Sequence, residues 1–405
     1  MGEGVGWPRT ARVPSAYPVG ARRVQKTVRM TTTDEAFMAE ALQCALDARL
    51  AAPPWPQVGC VIVADGEVVG RGATGTHPIG PHAEVAALHD AGPRASGATA
   101  YTTLEPCDHD GNTPPCTRAL IDAGVAKVVM AVVDPDTLVA GRGVERLRAA
   151  GIDVVVGPGA VVAEDQLAPY FHHRRTGRAF AVLKTAMSLD GRTSAADGTS
   201  QWITGSVARA DVHRLRAESH AIVVGPATAR MDQPSLTARD TPLGPWGQPL
   251  RVLLDAKGSV AVGGPLADVQ RARTLVVTTD RAPASTLDAW HSAGAEVATV
   301  GPGPGGRGVD LDATLQLLGR DHLVFQALVE GGGKLHGAFI AEGHAQRLVT
   351  YVAPVILGER GRAVLAYPGA DTLVDAPRWE ITDVTAFDPD VRITYRRNPA
   401  PEAVA

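Results

Sequence analysis

Four side chains between Pro81 and Cys116 combine metal-binding and proton-transfer chemistry. His82 is followed two positions later by Glu84, and Cys107 and Cys116 stand downstream, each directly after a proline. One imidazole nitrogen and two thiolates are the donor types that hold zinc tetrahedrally while leaving one position open to water. A carboxylate beside such a centre can carry protons without binding the metal. Eight residues separate the two cysteines, so their spacing alone does not mark a common zinc knuckle. Their placement adds weight. His82 and Cys116 both follow proline at expected helix starts, where unpaired N–H groups and the helix dipole stabilise a thiolate. The competing reading is a helix-capping histidine with two ordinary core cysteines. For Glu84, the competing reading is a favourable dipole partner at a helix start.

The elements that must position these groups follow from periodicity. A helix capped by Thr33 or Asp34 gathers Phe37, Met38, Ala41, Leu42, Ala45 and Leu46 on one face, and Pro53-Pro54 ends it. Val58–Ala64 is an apolar strand that turns at Asp65-Gly66 into Glu67–Gly70. Pro81 opens a helix running to Leu88, with Gly92 beyond its end. Strands are expected at Ala98–Thr103, Lys127–Val133 and Ile152–Val156, with helices at Cys116–Ala123 and Val144–Ala150. This alternation predicts a mostly parallel sheet covered on both faces. Cys44 and Cys60 read as small buried hydrophobes. The polar, basic stretch Tyr170–Ala179 reads as a joint. A second alternating series follows, with strands near residues 180–187, 221–225, 251–255, 274–279, 296–300, 323–329 and 347–352. Its helices are expected at Ser206–Ala217, Leu311–Gly319 and Lys334–Glu342. Within it, Glu330-Gly331-Gly332-Gly333-Lys334 ends a strand and starts a helix. Bare glycines there let phosphates reach helix N–H groups, although a simple turn explains the motif equally well.

Composition sets limits. The 405 residues are 45% hydrophobic and 20% charged, with net charge −4 and a pI near 6.3. That is not the basic footprint of a nucleic-acid binder. No apolar run is long enough to span a membrane. Four cysteines do not make a disulfide scaffold and suit a reducing cytoplasm. The first residues carry Arg9, Arg12, Arg22, Arg23, Lys26 and Arg29 without an apolar core, so they are expected to be a loose basic tail or to precede a true start at Met30.

Pro81-His82-Ala83-Glu84-Val85, with Tyr101-Thr102-Thr103-Leu104-Glu105-Pro106-Cys107-Asp108-His109 and Thr113-Pro114-Pro115-Cys116, closely resembles the bifunctional deaminase/reductase family of riboflavin biosynthesis. Asp134-Pro135 and Val139–Gly143 match it too. Later matches are Lys184–Arg192, Ser200–Thr204, Leu215–Ala217, Asp232–Arg239 and Val329–Gly332. The resemblance runs from about Asp34 to Arg397. It implies an α/β chain with an N-terminal zinc cytidine-deaminase-like domain (31–172), a linker (173–179) and a C-terminal dihydrofolate-reductase-like α/β domain (180–397). Residues 1–30 and 398–405 are left as tails.

The same resemblance implies a zinc ion on His82, Cys107 and Cys116, with Glu84 catalytic and His109 at the pocket. The substrate it implies is a phosphorylated ribosylamino-pyrimidine. That molecule loses an amino group by hydrolysis, and its ribosyl group is then reduced to ribityl. By resemblance NADPH meets Ala186, Trp202, Thr228, Asp232, Gly332, Gly333, Lys334, Leu335, His336 and Gly337. Substrate meets Ser200, Arg216, Leu236, Arg239 and Glu330. Physically, Arg216 and Arg239 offer guanidinium forks suited to phosphate, against the alternatives of a solvated helix face and a loop charge. Lys184 either orients the sugar or satisfies a carboxylate such as Asp190. Self-association is also implied.

The chain departs from the family pattern at Trp55, where asparagine is usual, and at Asp108, Asn112, Gln233 and His344. Two alternatives therefore stay open: a paralogue acting on another pterin- or pyrimidine-like heterocycle, and a reductase carrying an inactive zinc module. A nucleic-acid-editing deaminase fits the acidic balance poorly.

Overall fold

A computed structural model describes residues 22–24, 33–76, 80–111 and 113–398. In chain order the elements begin with β1 (Arg22–Val24), α1 (Thr33–Asp47), β2 (Gly59–Ala64), β3 (Glu67–Ala73), α2 (Ala83–Ala91), β4 (Thr99–Thr102) and α3 (Cys116–Asp122). Next come β5 (Lys127–Met130), α4 (Arg142–Ala149), β6 (Asp153–Val156), α5 (Ala160–Gln166) and α6 (Ala168–Thr176). The second series is β7 (Phe180–Ser188), β8 (Arg192–Ser194), α7 (Ser206–Ala217), β9 (Ala221–Val224), α8 (Pro226–Asp232), β10 (Leu250–Leu254), β11 (Thr274–Thr278), α9 (Ala284–Ser292) and β12 (Glu296–Thr299). It ends with α10 (Leu311–Asp321), β13 (Gln326–Val329), α11 (Gly333–Ala341), β14 (Arg347–Ala353), β15 (Arg362–Ala363), β16 (Trp379–Ala386) and β17 (Val391–Arg397).

The first sheet has the order β3-β2-β4-β5-β6. It is mixed rather than mostly parallel. The Asp65-Gly66 hairpin makes β3 antiparallel to β2, and the return through α2 brings β4 in antiparallel to β2. Only the β4–β5 and β5–β6 pairings are parallel. Helices α1 and α2 lie close on this sheet because glycines face them. A Cβ on Gly59 would sit 1.9 Å from the Ala41 carbonyl oxygen, and one on Gly72 would sit 2.1 Å from that of Ala83.

The second sheet is ten-stranded, ordered β1-β16-β17-β14-β7-β13-β9-β10-β11-β12. From β14 to β12 the strands are parallel; β17, β16 and β1 add antiparallel at the edge. Side-chain alternation buries both faces. Val223, Val252 and Leu254 join one core, while Ile222, Val224 and Leu253 join the other.

The stretch read as a joint is largely helical. Helix α6 runs to Thr176 and is closed by left-handed Gly177. Its basic residues do not simply face solvent: Arg174 lies over the Tyr170 and Phe325 rings, and Arg175 over Phe171. Phe325 of the second series packs into the first unit's core, and Arg347 pairs with Asp165 at 2.6 Å. The expected basic tail lies outside the described residues except for Arg22–Val24, whose backbone pairs with β16. The C-terminal tail lies outside them beyond Asn398. Among the described residues, no helix is long and apolar enough to cross a membrane.

Candidate active sites

His82 is the N-cap of α2 rather than part of its first turn, with extended backbone and no capping side-chain bond. Its imidazole is therefore available to the loop that ends at α3. Nδ1 lies 3.1 Å from Cys116 Sγ and 3.5 Å from Cys107 Sγ. The three potential ligand atoms all fall within 4.8 Å of one another. Thr113 Oγ1 stands 3.5 Å from Nε2 on the far side of the ring. An imidazole nitrogen and two sulfurs converging in a largely buried spot fit zinc by donor chemistry.

Proton placement among the ligands differs from the expectation that Cys116 would be the stabilised thiolate. The Cys116 thiol donates toward Cys107, and this interaction is the main cause holding Cys107 at about 4. Cys116 is pushed upward in turn. The Cys116 backbone N–H at the start of α3 points at Cys107 Sγ, 3.5 Å away. The helix start thus stabilises the thiolate of the other cysteine. Glu84 is 4% exposed. Burial, reinforced by the Cys107 thiolate, raises its carboxyl to about 7.

The motif residue Glu105 has a distinct job. Its buried carboxylate accepts backbone N–H bonds from Asp134, Gly141 and Val144. That ties the chain entering Cys107 to the loop carrying Asp134-Pro135. Asp108 is turned toward α3, where it accepts from Thr117 Oγ1 at 2.5 Å. His109 Nδ1 is buried without a hydrogen-bond partner among the described residues. Asn112 lies outside the described residues. Trp55, which sequence reading could place only as a substitution, lies edge-on to His82 with ring centroids 5.2 Å apart.

The second site gathers at the carboxyl ends of β7, β9 and β13, the usual ligand crevice of an open parallel sheet. Glu330 follows β13, and both its oxygens accept from Arg216 of α7, at 2.6 and 2.8 Å. Arg216 also donates to the Thr237 carbonyl. Its guanidinium is therefore engaged and is not an open phosphate fork. Arg239 is exposed, and its guanidinium donates to Ser235 Oγ at 2.8 Å. Burial depresses Lys184, with the Glu330 charge acting against it. Asp190 is engaged elsewhere, accepting from Ser188 and from the Leu357 and Gly358 N–H groups.

The glycine segment is split by helix periodicity. Gly332 caps α11, and Gly332 and Lys334 are exposed. Gly333, His336 and Gly337 face the other way. Gly337 packs on Ala366, whose carbonyl oxygen a Cβ would approach to 2.3 Å. His336 Nε2 bonds the Val329 carbonyl at 3.1 Å. So the His336 ring is held at the end of β13 and the Gly337 backbone against Ala366, and Leu335 is half-buried. Thr228 of α8 lies beside Gly332, and Asp232 ends the same helix in an exposed position. Ala186 is half-buried on β7, and Ser200 lies in an exposed turn. Trp202 is 70% exposed, with the Arg209 guanidinium 4.5 Å from its ring centroid. Leu236 is 1% exposed and sits in the core beside Ile222 and Leu253. Any ligand contact from it must come from its backbone, which takes φ 48° there.

These two sites define the class: a zinc deaminase fold joined to a reductase fold. Comparison with known proteins agrees. The model for the cytidine and deoxycytidylate deaminase zinc-binding region matches residues 31–132, and that for the RibD C-terminal domain matches residues 179–393. The riboflavin biosynthesis protein RibD of Chlamydia muridarum is 45% identical, with 81% of this chain and 87% of that one covered. RibD of Escherichia coli is 41% identical over 88% of this chain and 98% of its own. The solved Acinetobacter baumannii RibD superposes with a TM-score of 0.79 at 36% identity, covering 91% and 99% of the two chains. The chain belongs to the RibD family. It is accordingly a bifunctional enzyme of riboflavin biosynthesis, a hydrolytic deaminase joined to a reductase, with zinc and NADPH as cofactors. The comparisons support this reading over the paralogue and inactive-module alternatives.

Proposed function

We propose that His82 Nδ1 and the Cys107 and Cys116 sulfurs hold the zinc, and that Glu84 is the proton carrier. The substrate is 2,5-diamino-6-ribosylamino-pyrimidinone 5′-phosphate. When bound there, zinc would supply a Lewis acid that lowers the pKa of a water molecule. Glu84 would take a proton from the attacking water as its oxygen bonds to the amino-bearing carbon, and return it to the departing ammonia as the carbon–nitrogen bond breaks. A carboxyl poised near neutrality suits both halves of that transfer. The solved Thermotoga maritima protein described as a diaminohydroxyphosphoribosylaminopyrimidine deaminase/5-amino-6-(5-phosphoribosylamino)uracil reductase supports the substrate assignment. It is 30% identical, has a TM-score of 0.76, and the match covers 90% of this chain and 99% of that one.

In the second reaction bound NADPH would supply the hydride for the anomeric carbon, whose bond to the ring oxygen breaks while that oxygen takes a proton, leaving a ribityl chain. Gly332 and Lys334 at the start of α11, and Thr228 beside Gly332, would receive the cofactor's phosphates, with Trp202, Asp232 and Ala186 bordering it. Arg239 and Ser200 meet the substrate phosphate side. Glu330, fixed by Arg216, faces the sugar with Lys184 behind it, and the backbone of Leu236 closes the site. We assign residues 31–172 and 180–397 as the two domains of a self-associating cytoplasmic enzyme.

The observation that carries this reading is the convergence of one imidazole nitrogen and two sulfurs within 4.8 Å, with Glu84 buried at their side. To test it, the zinc-loaded protein is given the diaminopyrimidinone without NADPH, and the deaminated aminouracil with NADPH. Ammonia release is expected in the first and NADPH oxidation in the second. Silence in either assay refutes the corresponding half. Light scattering tests the self-association, and a monomer at micromolar concentration would refute it.

A further inference from the structure

The deaminase site does not stand on its own unit alone. Trp55 lies in the loop after α1, a loop closed by its own N–H donating to the Ala52 carbonyl at 2.9 Å. Its ring meets His82 in a T-shaped contact, with 77° between the planes. The face of the loop is held from the reductase side. Trp246 Nε1 donates to the Pro53 carbonyl, two residues before Trp55. Gly244 lies so close to Leu50 that a Cβ would sit 2.0 Å from the Leu50 carbonyl oxygen. Arg49 adds an ion pair to Glu218 at 3.2 Å. Three separate contacts therefore tie residues 49–53 to the reductase unit.

We propose that the reductase loop at residues 244–247 is a positioning element of the deaminase site, acting from Trp246 through Pro53 to Trp55 and so onto the ligand imidazole of His82. The inference rests on the zinc-deaminase reading. The physics is that of an outer contact on a metal ligand. A histidine ring bound at Nδ1 must keep one orientation, and groups packed against it fix that orientation. An edge-on aromatic partner supplies this without competing for Nε2. Trp55 also fills a rim position with a rigid indole, so its placement sets how much room a pyrimidine has beside the metal ligands. Trp246 touches neither metal nor substrate and is a positioning residue.

The test uses the full-length zinc-loaded enzyme and the variants Trp55→Ala, Trp246→Phe and the double variant. Trp246→Phe keeps an aromatic ring and removes the donor. Zinc transfer to a chromogenic chelator is timed, and kcat and KM for ammonia release are measured separately. Trp55→Ala should release zinc about 2- to 10-fold faster, the range expected of one edge-on ring pair. Trp246→Phe should show the same kind of change and raise KM about 2- to 10-fold, as for one lost hydrogen bond. The double variant should be no worse than Trp55→Ala alone, because both act on one path. NADPH oxidation with the deaminated substrate should stay at the parent rate in Trp246→Phe, which also reports an intact fold. Parent-like zinc release and KM in Trp246→Phe would overturn the proposal, as would a double variant whose defects simply multiply. If the parent itself releases no ammonia, the deaminase reading fails, while the zinc-transfer arm still decides whether Trp246 acts on His82.

Discussion

Replacing Glu330 by Gln isolates the charge pair at the centre of the reductase site. In the structure, Glu330 and Arg216 side chains are 10% and 12% exposed, and both carboxylate oxygens accept from the guanidinium. Burial alone would raise the carboxyl. The Arg216 charge and hydrogen bonds, with Lys184 adding to them, overcome that and hold it at about 2 instead of the ordinary 4.5. A shift of that size corresponds to about 3 kcal/mol at neutral pH, using 1.36 kcal/mol for each pKa step. The sign follows from the depressed folded pKa. The contribution is fully present above about pH 4.5 and disappears as pH falls toward about 2. Glu330→Gln also leaves Arg216 buried without its countercharge, and breaking one side of such a pair costs about 3–5 kcal/mol.

The assay is denaturant unfolding, followed by tryptophan fluorescence at several pH values, with the transition of the reductase unit analysed by itself. Glu330→Gln should lose about 3 kcal/mol or more at pH 7, with the gap to the parent narrowing between pH 4.5 and 3. Adding Arg216→Met to Glu330→Gln should recover part of the loss, since the stranded charge goes with it. A loss below about 1 kcal/mol at pH 7, or a gap that does not change with pH, would show that the pair behaves as a solvated surface pair and would refute the reasoning.

Three further outcomes follow from particular side chains. Glu84→Gln should lower ammonia release by about 10²-fold or more while zinc content and NADPH oxidation remain at parent levels; retained ammonia release would remove Glu84 from the chemistry. Burial depresses the imidazole of His336 to about 4. Its neutral form therefore stabilises the fold above about pH 6.5, and that contribution is lost as pH falls toward 4. His336→Gln should accordingly flatten the pH dependence of stability over this window, and an unchanged slope would refute the assignment. Chelation of zinc should abolish ammonia release yet leave the far-ultraviolet circular dichroism close to that of the loaded protein; collapse of the signal would contradict a preformed ligand set.

Much of the deaminase half was legible because its signals are local. His82 and Glu84 are neighbours, prolines mark the starts of α2 and α3, and Asp65-Gly66 fixes a hairpin. The reductase half was legible mainly through matching segments. What sequence could not supply depends on long-range packing. Arg216 meets Glu330 across 114 positions, so an arginine that reads as a phosphate fork turns out to be engaged by a carboxylate. Trp246 meets Pro53 across 193 positions. Helix α6 reads as a joint because its arginines are polar and exposed, whereas Arg174 also lies over the Phe325 ring of the second unit. Strands β16 and β17 were missed because the long segment before them carries weak periodicity, and β16 mixes exposed and buried residues along one edge.

The ligand set is positioned by groups that need no metal. Glu105 holds three N–H groups of the 134–144 segment with one buried carboxylate, and Gly143 packs so closely that a Cβ would lie 2.1 Å from the Pro106 carbonyl oxygen. That fixes the backbone immediately before Cys107. On the other side, the α3 start is fixed by Asp108 accepting from Thr117 and by the Thr117 N–H bonding the Cys107 carbonyl at 3.2 Å. The two thiols therefore approach each other because the protein framework directs them, and the Cys116 N–H and thiol both favour the thiolate form of Cys107. His82 joins them from a separate helix start, with Trp55 against its ring. In a small zinc finger the metal supplies much of the folding free energy; here a five-stranded sheet with its own core already does so. On the proposed ligand set, zinc affinity should therefore follow how well the surrounding contacts, those of Glu105 and Trp55 among them, hold three side chains in place.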